Sequence, residues 1–105
     1  VMQGVGQALM ESCAYDGNTG QMVAASLMDY AMPRAEDTPA FRTKLLEIPS
    51  PSNPLGVKPG SEGGTAVAVA AVTNAIVDAL SDYNIKTIEL PATSERIWKA
   101  INISP

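Results

Sequence analysis

The sequence predicts an α+β fold, a small mixed domain with about three helices and three short strands. Three observations lead there. Apolar residues recur at helical spacing over residues 2–14, 66–82 and 93–101. Short runs bounded by Gly and Pro read as strands at residues 21–27, 41–48 and 86–90. A length of 105 residues allows one domain at most.

The first helix is expected over residues 2–14, with Met2, Val5, Leu9 and Cys13 on one apolar stripe. Gly4 and Gly6 weaken it by about 1 kcal/mol each relative to Ala. Two glycines there suit either a frayed start or the close approach of another backbone or a ligand. Residues 15–20, YDGNTG, are a turn, because Gly and Asn tolerate positive φ. The strand expected at residues 21–27 follows, then a loop punctuated by Pro33 and Pro39. The flanking prolines favour a strand over a helix for residues 41–48, FRTKLLEI.

Residues 49–64 are rich in Gly, Pro and Ser. A loop that long in a compact domain is usually functional or disordered. Thr65 is placed to cap the helix that follows. That helix has only Thr73, Asn74 and Asp78 to break its apolar surface before its last turn. A helix apolar nearly all round needs covering on most sides, and 105 residues supply little to cover it with. Residues 86–90 read as the third strand. Thr93 or Ser94 caps the last helix, which would pack through Ile97, Trp98 and Ile101.

Composition narrows the function. The net charge is −4 and the seven Lys and Arg residues are scattered, which argues against a nucleic-acid footprint and against an anionic membrane surface. The longest unbroken apolar run, residues 66–72, is far short of a membrane span. No secretory leader is visible in residues 1–21, so a cytoplasmic location is expected. The one cysteine, Cys13, excludes an internal disulfide, and inside a helix it reads as a buried structural thiol. With no histidine at all, a classical zinc site and a Ser-His-Asp or Cys-His centre are excluded within this chain. No residue is expected to ligate a metal directly. Aromatics make up only 5% of the chain. So few large side chains suggest that apolar surface faces a missing partner, and a start inside an apparent element suggests a fragment.

The feature that invites chemistry is the junction Gly60-Ser61-Glu62-Gly63-Gly64-Thr65. Glycines let the backbone turn tightly and let a ligand come close. Free N–H groups at a helix start favour a negative charge. A carboxylate there can stay ionised and serve as a base. On the residues alone a Glu near a helix start is more often just a favourable surface charge, and neither the phosphate-loop spacing nor the dinucleotide fingerprint is present.

Residues 53–80, NPLGVKPGSEGGTAVAVAAVTNAIVDAL, resemble a signature of the xanthine dehydrogenase and aerobic carbon monoxide dehydrogenase family of molybdenum hydroxylases. The family pattern is close to NPLG-x-K-G-x-G-E-x-G-T, followed by an Ala-rich helix with NA-x-x-DAL. Further matches lie in order along the chain. Residues 3–9 match Q-G-x-G-x-A-L, residues 15–21 match Y-D-x-x-x-G-Q, residues 26–33 match S-L-x-D-Y-x-x-P, and residues 91–98 match P-x-T-x-E-R-I/V-W.

The resemblance implies a C-terminal fragment, residues 1–105, of the molybdopterin-binding large subunit, within its second molybdenum-binding domain. It implies that the dithiolene of a molybdopterin holds molybdenum, in a dinucleotide form, in the full-length parent. No cofactor is expected on the isolated chain. Glu62 aligns with the catalytic glutamate, implied to take a proton from a molybdenum-bound hydroxyl during oxidation of an aldehyde, an N-heterocycle or carbon monoxide. Gln3 aligns with a glutamine that touches the cofactor, and Gly60, Ser61 and Gly63 fall in the cofactor-facing loop. Implied partners are the remainder of the large subunit and the iron–sulfur and flavin subunits. Alone, the chain is expected to be inactive and to self-associate.

Two positions depart from the pattern. Pro59 and Ser61 stand where K-G-x-G-E has glycines. If the first glycine has positive φ, Pro59 cannot adopt it, and a shifted loop with Gly60 in its place is one way around this. The departures leave a second reading open, a stand-alone interaction or structural domain that kept the fold and lost the chemistry.

Overall fold

A computed structural model describes residues 1–103. It has three α-helices: α1 Met2–Leu9, α2 Gly63–Ala79 and α3 Ser94–Ile103. Short 3-10 turns occupy Ala35–Asp37 and Ser81–Tyr83. Among the described residues there is no strand, so the expected α+β class is corrected to helices joined by long irregular segments. Of the three expected strands, residues 21–27 contribute a single bridge, Met22 with Tyr15. Residues 41–48 and 86–90 have no ladder. A strand exists only when a neighbour takes up its N–H and C=O groups. Residues 41–48 are exposed, so water can satisfy their backbone instead.

Helix α1 stops at Leu9, well short of residue 14. The carbonyl of Gly6 accepts from both Met10 N (2.8 Å) and Glu11 N (2.9 Å), which closes the helix. Residues 12–14 then leave toward the turn, and Ala14 O accepts from Val23 N at 2.9 Å. Cys13 therefore lies outside any helix and is exposed, not a buried thiol. The turn at residues 15–22 is built locally. Asp16 Oδ1 accepts from Asn18 N (3.1 Å), Thr19 N (2.8 Å) and Thr19 Oγ1 (2.7 Å), and Gly20 supplies φ +70°.

The α1 face that is buried is not the expected stripe but its small residues, Gly4, Gly6 and Ala8. Helix α2 crosses directly over Gly4. A methyl group there would lie 2.8 Å from Ala68 Cβ and collide with the Thr65 carbonyl oxygen. Gly6 has Pro33 as its neighbour, with a built Cβ only 2.6 Å from the ring. Of the two readings for these glycines, close approach of other parts of the chain is the one that holds. Further along, Ala92 N donates to Ala8 O at 2.7 Å, fastening the segment before α3 to the end of α1. Thr93 is the cap of α3, its Oγ1 accepting from Arg96 N at 3.3 Å.

What these contacts enclose is slight. Among the described residues the buried apolar ones are Ala8, Ala24, Ala68, Leu80 and Ala92, and no large side chain is fully buried. The accessible surface is 8442 Å² for a chain of 11.0 kDa, against about 5600 Å² for a compact monomer of that mass. The radius of gyration is 18.1 Å, against about 13 Å for a compact chain of this length. Leu45 is 81% exposed, Leu55 85% and Trp98 59%. Only Ala68 of α2 is buried. The covering that α2 was expected to need is not supplied by the described residues.

Candidate functional site

The loop before α2 is made by a turn at its NPLG run. Asn53 Oδ1 accepts from Leu55 N at 2.9 Å, and Asn53 O accepts from Gly56 N at 2.8 Å. Gly56 has φ +67°, and Ser50 N donates back to its carbonyl at 2.9 Å. Positive φ is required here and not at residues 59 or 60. Pro59 is thus not forced into a conformation it cannot adopt. Gly60 does not serve as a shifted left-handed glycine either.

Glu62 is the N-cap residue of α2, and the helix begins at Gly63. The expected cap, Thr65, is instead inside the first turn. Thr65 N and Ala66 N both donate to Glu62 O at 3.0 Å, while no side chain caps the helix. The Glu62 side chain is exposed. Its carboxyl is held below the usual carboxylate value, first by a hydrogen bond from the Ser61 hydroxyl and then by its own backbone N–H. It is an ionised, sterically free acceptor at neutral pH. Nothing lies within 4 Å of a side chain built at Gly60 or Gly63, so the turn is open on both sides of Glu62.

Packing of α1 on α2 brings a second predicted residue to this end. Thr65 Oγ1 donates to Gln3 Oε1 over a long 3.4 Å, and a Cβ added at Gly64 would lie 3.3 Å from the Val1 nitrogen. Gln3, adjacent to the buried Gly4, thereby meets the first turn of α2 at Thr65, which follows Glu62 by three residues. Of the predicted residues, Glu62, Ser61, Gly60 and Gly63 share one turn, and Gln3 joins them through Thr65.

Sequence reasoning missed a polar contact at the other end of α1. Tyr30 donates its phenol to Glu11 Oε2 at 2.7 Å. That bond, aided by desolvation, pushes the Tyr30 pKa up to about 12. Tyr30 belongs to the quoted S-L-x-D-Y-x-x-P run, but no spacing rule links it to Glu11.

These groups fit a cofactor that brings its own metal ligands. Among the described residues no cluster of His, Cys, Asp or Glu could hold a metal ion. The turn instead offers one carboxylate, one amide side chain and glycines that leave room for a bulky group.

Comparison with known proteins identifies the lineage. A family model described as a molybdopterin cofactor-binding domain matches residues 1–39. The large subunit of nicotine 6-hydroxylase from Paenarthrobacter nicotinovorans is 42% identical over 95% of this chain. The carbon monoxide dehydrogenase large chain of Hydrogenophaga pseudoflava is 31% identical over 94%. The chain belongs to the molybdopterin-binding large-subunit family of the molybdenum hydroxylases. The crystal structure of quinoline 2-oxidoreductase from Pseudomonas putida 86 superposes with a TM-score of 0.87 at 42% identity, over 99% of this chain. The chain spans about 12% of the length of these two relatives and 13% of that structure. The open shape thus agrees with that of a segment of a much longer polypeptide. The family is one that binds molybdopterin. Among the described residues, no helix is long and apolar enough to cross a membrane.

Proposed function

We propose that this chain supplies the general base of a molybdenum hydroxylase, working as one segment of its large subunit. The observation that carries the reading is the α1–α2 contact at Gly4, which stands Gln3 beside the turn that presents Glu62. Glu62 takes up the proton released as an oxygen nucleophile attacks an electron-poor carbon, which is general-base catalysis. Its low pKa keeps it ready to accept that proton at neutral pH. Gln3, Gly60, Ser61 and Gly63 face the cofactor, with Gln3 offering an amide and the glycines leaving space. When bound, the molybdopterin centre supplies the two-electron oxidation of the substrate.

An aromatic N-heterocycle is the favoured substrate class over an aldehyde or carbon monoxide. Two of the relatives above carry nicotine and quinoline in their names. Electrons would leave through iron–sulfur and flavin subunits, a reading supported by relatives named as subunits of larger complexes. The rest of the large subunit covers α2, α3 and residues 41–57. The stand-alone, non-catalytic reading loses one of its supports, because Pro59 lies outside the left-handed turn.

Glu62→Gln in the assembled enzyme should cut turnover by about two to four orders of magnitude, the usual worth of a positioned base. Molybdenum and pterin content should stay at wild-type levels. Turnover within tenfold of wild type would defeat the assignment.

A further inference from the structure

We propose that Tyr30 and Glu11 are positioning residues for Gln3, forming a clamp that sets the direction of α1 against the start of α2. This rests on the reading of Gln3 as a residue that faces the cofactor. The run from Ser26 to Tyr30 shapes itself locally. Ser26 Oγ donates to Asp29 Oδ2 at 2.7 Å and accepts from Met28 N at 3.2 Å, while Ser26 O accepts from Tyr30 N at 2.8 Å. That turn brings the half-buried Tyr30 to the end of α1, where its phenol donates to Glu11 Oε2 at 2.7 Å. The other oxygen of the same carboxylate lies against Gly6. A Cβ added at Gly6 would collide with Glu11 Oε1 and would come within 2.6 Å of the Pro33 ring. Glu11 N also donates to Gly6 O at 2.9 Å. Gly6 is thus held between Glu11 and Pro33, and Tyr30 ties the two walls together.

The consequence for Gln3 follows from the length of the helix. With 8 residues, α1 is only about 12 Å long and moves as one body. Its pivot is Gly4, pressed on the Thr65 carbonyl and Ala68. Gln3 lies on one side of that pivot and Gly6 on the other, so loosening the grip at Gly6 tilts Gln3. The bond that Gln3 accepts from Thr65 is long, 3.4 Å, and too weak to fix the helix by itself. The Tyr30 bond is short and has a carboxylate acceptor, the kind that is roughly twice as strong as a neutral one. The backbone bond from Ala92 N to Ala8 O needs neither side chain, so it keeps α1 attached when the clamp is removed.

The test is made in the assembled enzyme with three substitutions. Tyr30→Phe removes one oxygen and keeps the ring, Glu11→Gln keeps an acceptor oxygen, and Gln3→Ala removes the positioned side chain. Two quantities are read. One is the molybdenum and pterin retained after prolonged dialysis. The other is hydrogen exchange of the peptide covering residues 2–11, followed by mass spectrometry. Tyr30→Phe should speed exchange in that peptide roughly tenfold, in keeping with the loss of one bond to a carboxylate, and should lower cofactor retention severalfold. Glu11→Gln should stay near wild type in both. In the Gln3→Ala background, Tyr30→Phe should cost no further retention, because the residue it positions is gone. Additive losses in the double variant would mark Tyr30 as merely structural and overturn the proposal. Wild-type exchange in Tyr30→Phe would overturn it as well. Should Gln3→Ala alone retain the cofactor at the wild-type level, the reading of Gln3 fails and the positioning role with it. The exchange arm still decides separately whether Tyr30 and Glu11 hold α1.

Discussion

The α1–α2 crossing and the segment spanning residues 38–61 show opposite ways of using small residues. At the crossing, Gly4 is required because the Thr65 carbonyl and Ala68 leave no room for a methyl group. Contact there is closed and internal to the chain. In the 38–61 segment, Gly60 faces open space while Leu45, Leu46 and Leu55 are exposed. The first region is finished by this polypeptide. The second leaves its hydrophobic side chains uncovered by the described residues. The difference teaches that small residues close a contact within the chain at one place and leave the backbone open at the other.

The largest expected effect tests the open side. Exposed apolar surface on this scale drives association, so the isolated chain should sediment almost wholly as oligomers or aggregates. A monodisperse monomer in analytical ultracentrifugation would show that the segment needs no cover. The crossing is broken next. Gly4→Ala in the large subunit should cost about 1–3 kcal/mol through overpacking, read as a lower midpoint in thermal or denaturant unfolding. Gly60→Ala should change stability by no more than about 0.5 kcal/mol, as at an unconstrained surface position. It should nonetheless reduce molybdenum content if Gly60 faces the cofactor. Equal destabilisation by both substitutions would erase the contrast.

The smallest effect concerns the turn at residues 15–22, which is closed without either kind of packing. Asp16 has its pKa lowered by hydrogen bonds from the Thr19 side chain, Thr19 N and Asn18 N. A carboxylate with a depressed folded pKa contributes stability above its unfolded value and loses it as pH falls through the folded one. The turn should persist unchanged at pH 5 and loosen only below the ordinary aspartate value of 3.8. Amide exchange at Asn18 and Thr19 in the large subunit, followed against pH, measures this. Loosening already at pH 5 would mean that the turn is held by something other than Asp16.

Legibility followed the range of the interaction. The YDGNTG turn, the Ala-rich helix and the final helix were readable because their causes lie within a few residues. The Glu62 turn was singled out only through family resemblance, since a Glu beside glycines has several explanations. The α1 stripe misled because large apolar residues signal burial, yet Gly4 and Ala8 are the ones that touch other parts of the chain. The expected strands failed because residues 41–48 and 86–90 carry strand-like composition with no partner to pair with. Tyr30 and Glu11, 19 positions apart, meet only in the folded chain.

By itself, then, the sequence determined the local elements with internal causes, the absence of histidine or paired cysteine for metal binding, and the motif that carries Glu62. Only the tertiary structure decided which face of α1 is buried, that Gly56 and not residue 59 or 60 takes the left-handed turn, and that Gln3 meets Thr65 in the first turn of α2. Local propensity and motif spacing are properties of neighbouring residues, whereas burial and juxtaposition depend on which distant backbone arrives alongside. At Gly4 that arrival is legible only once Thr65 is in place.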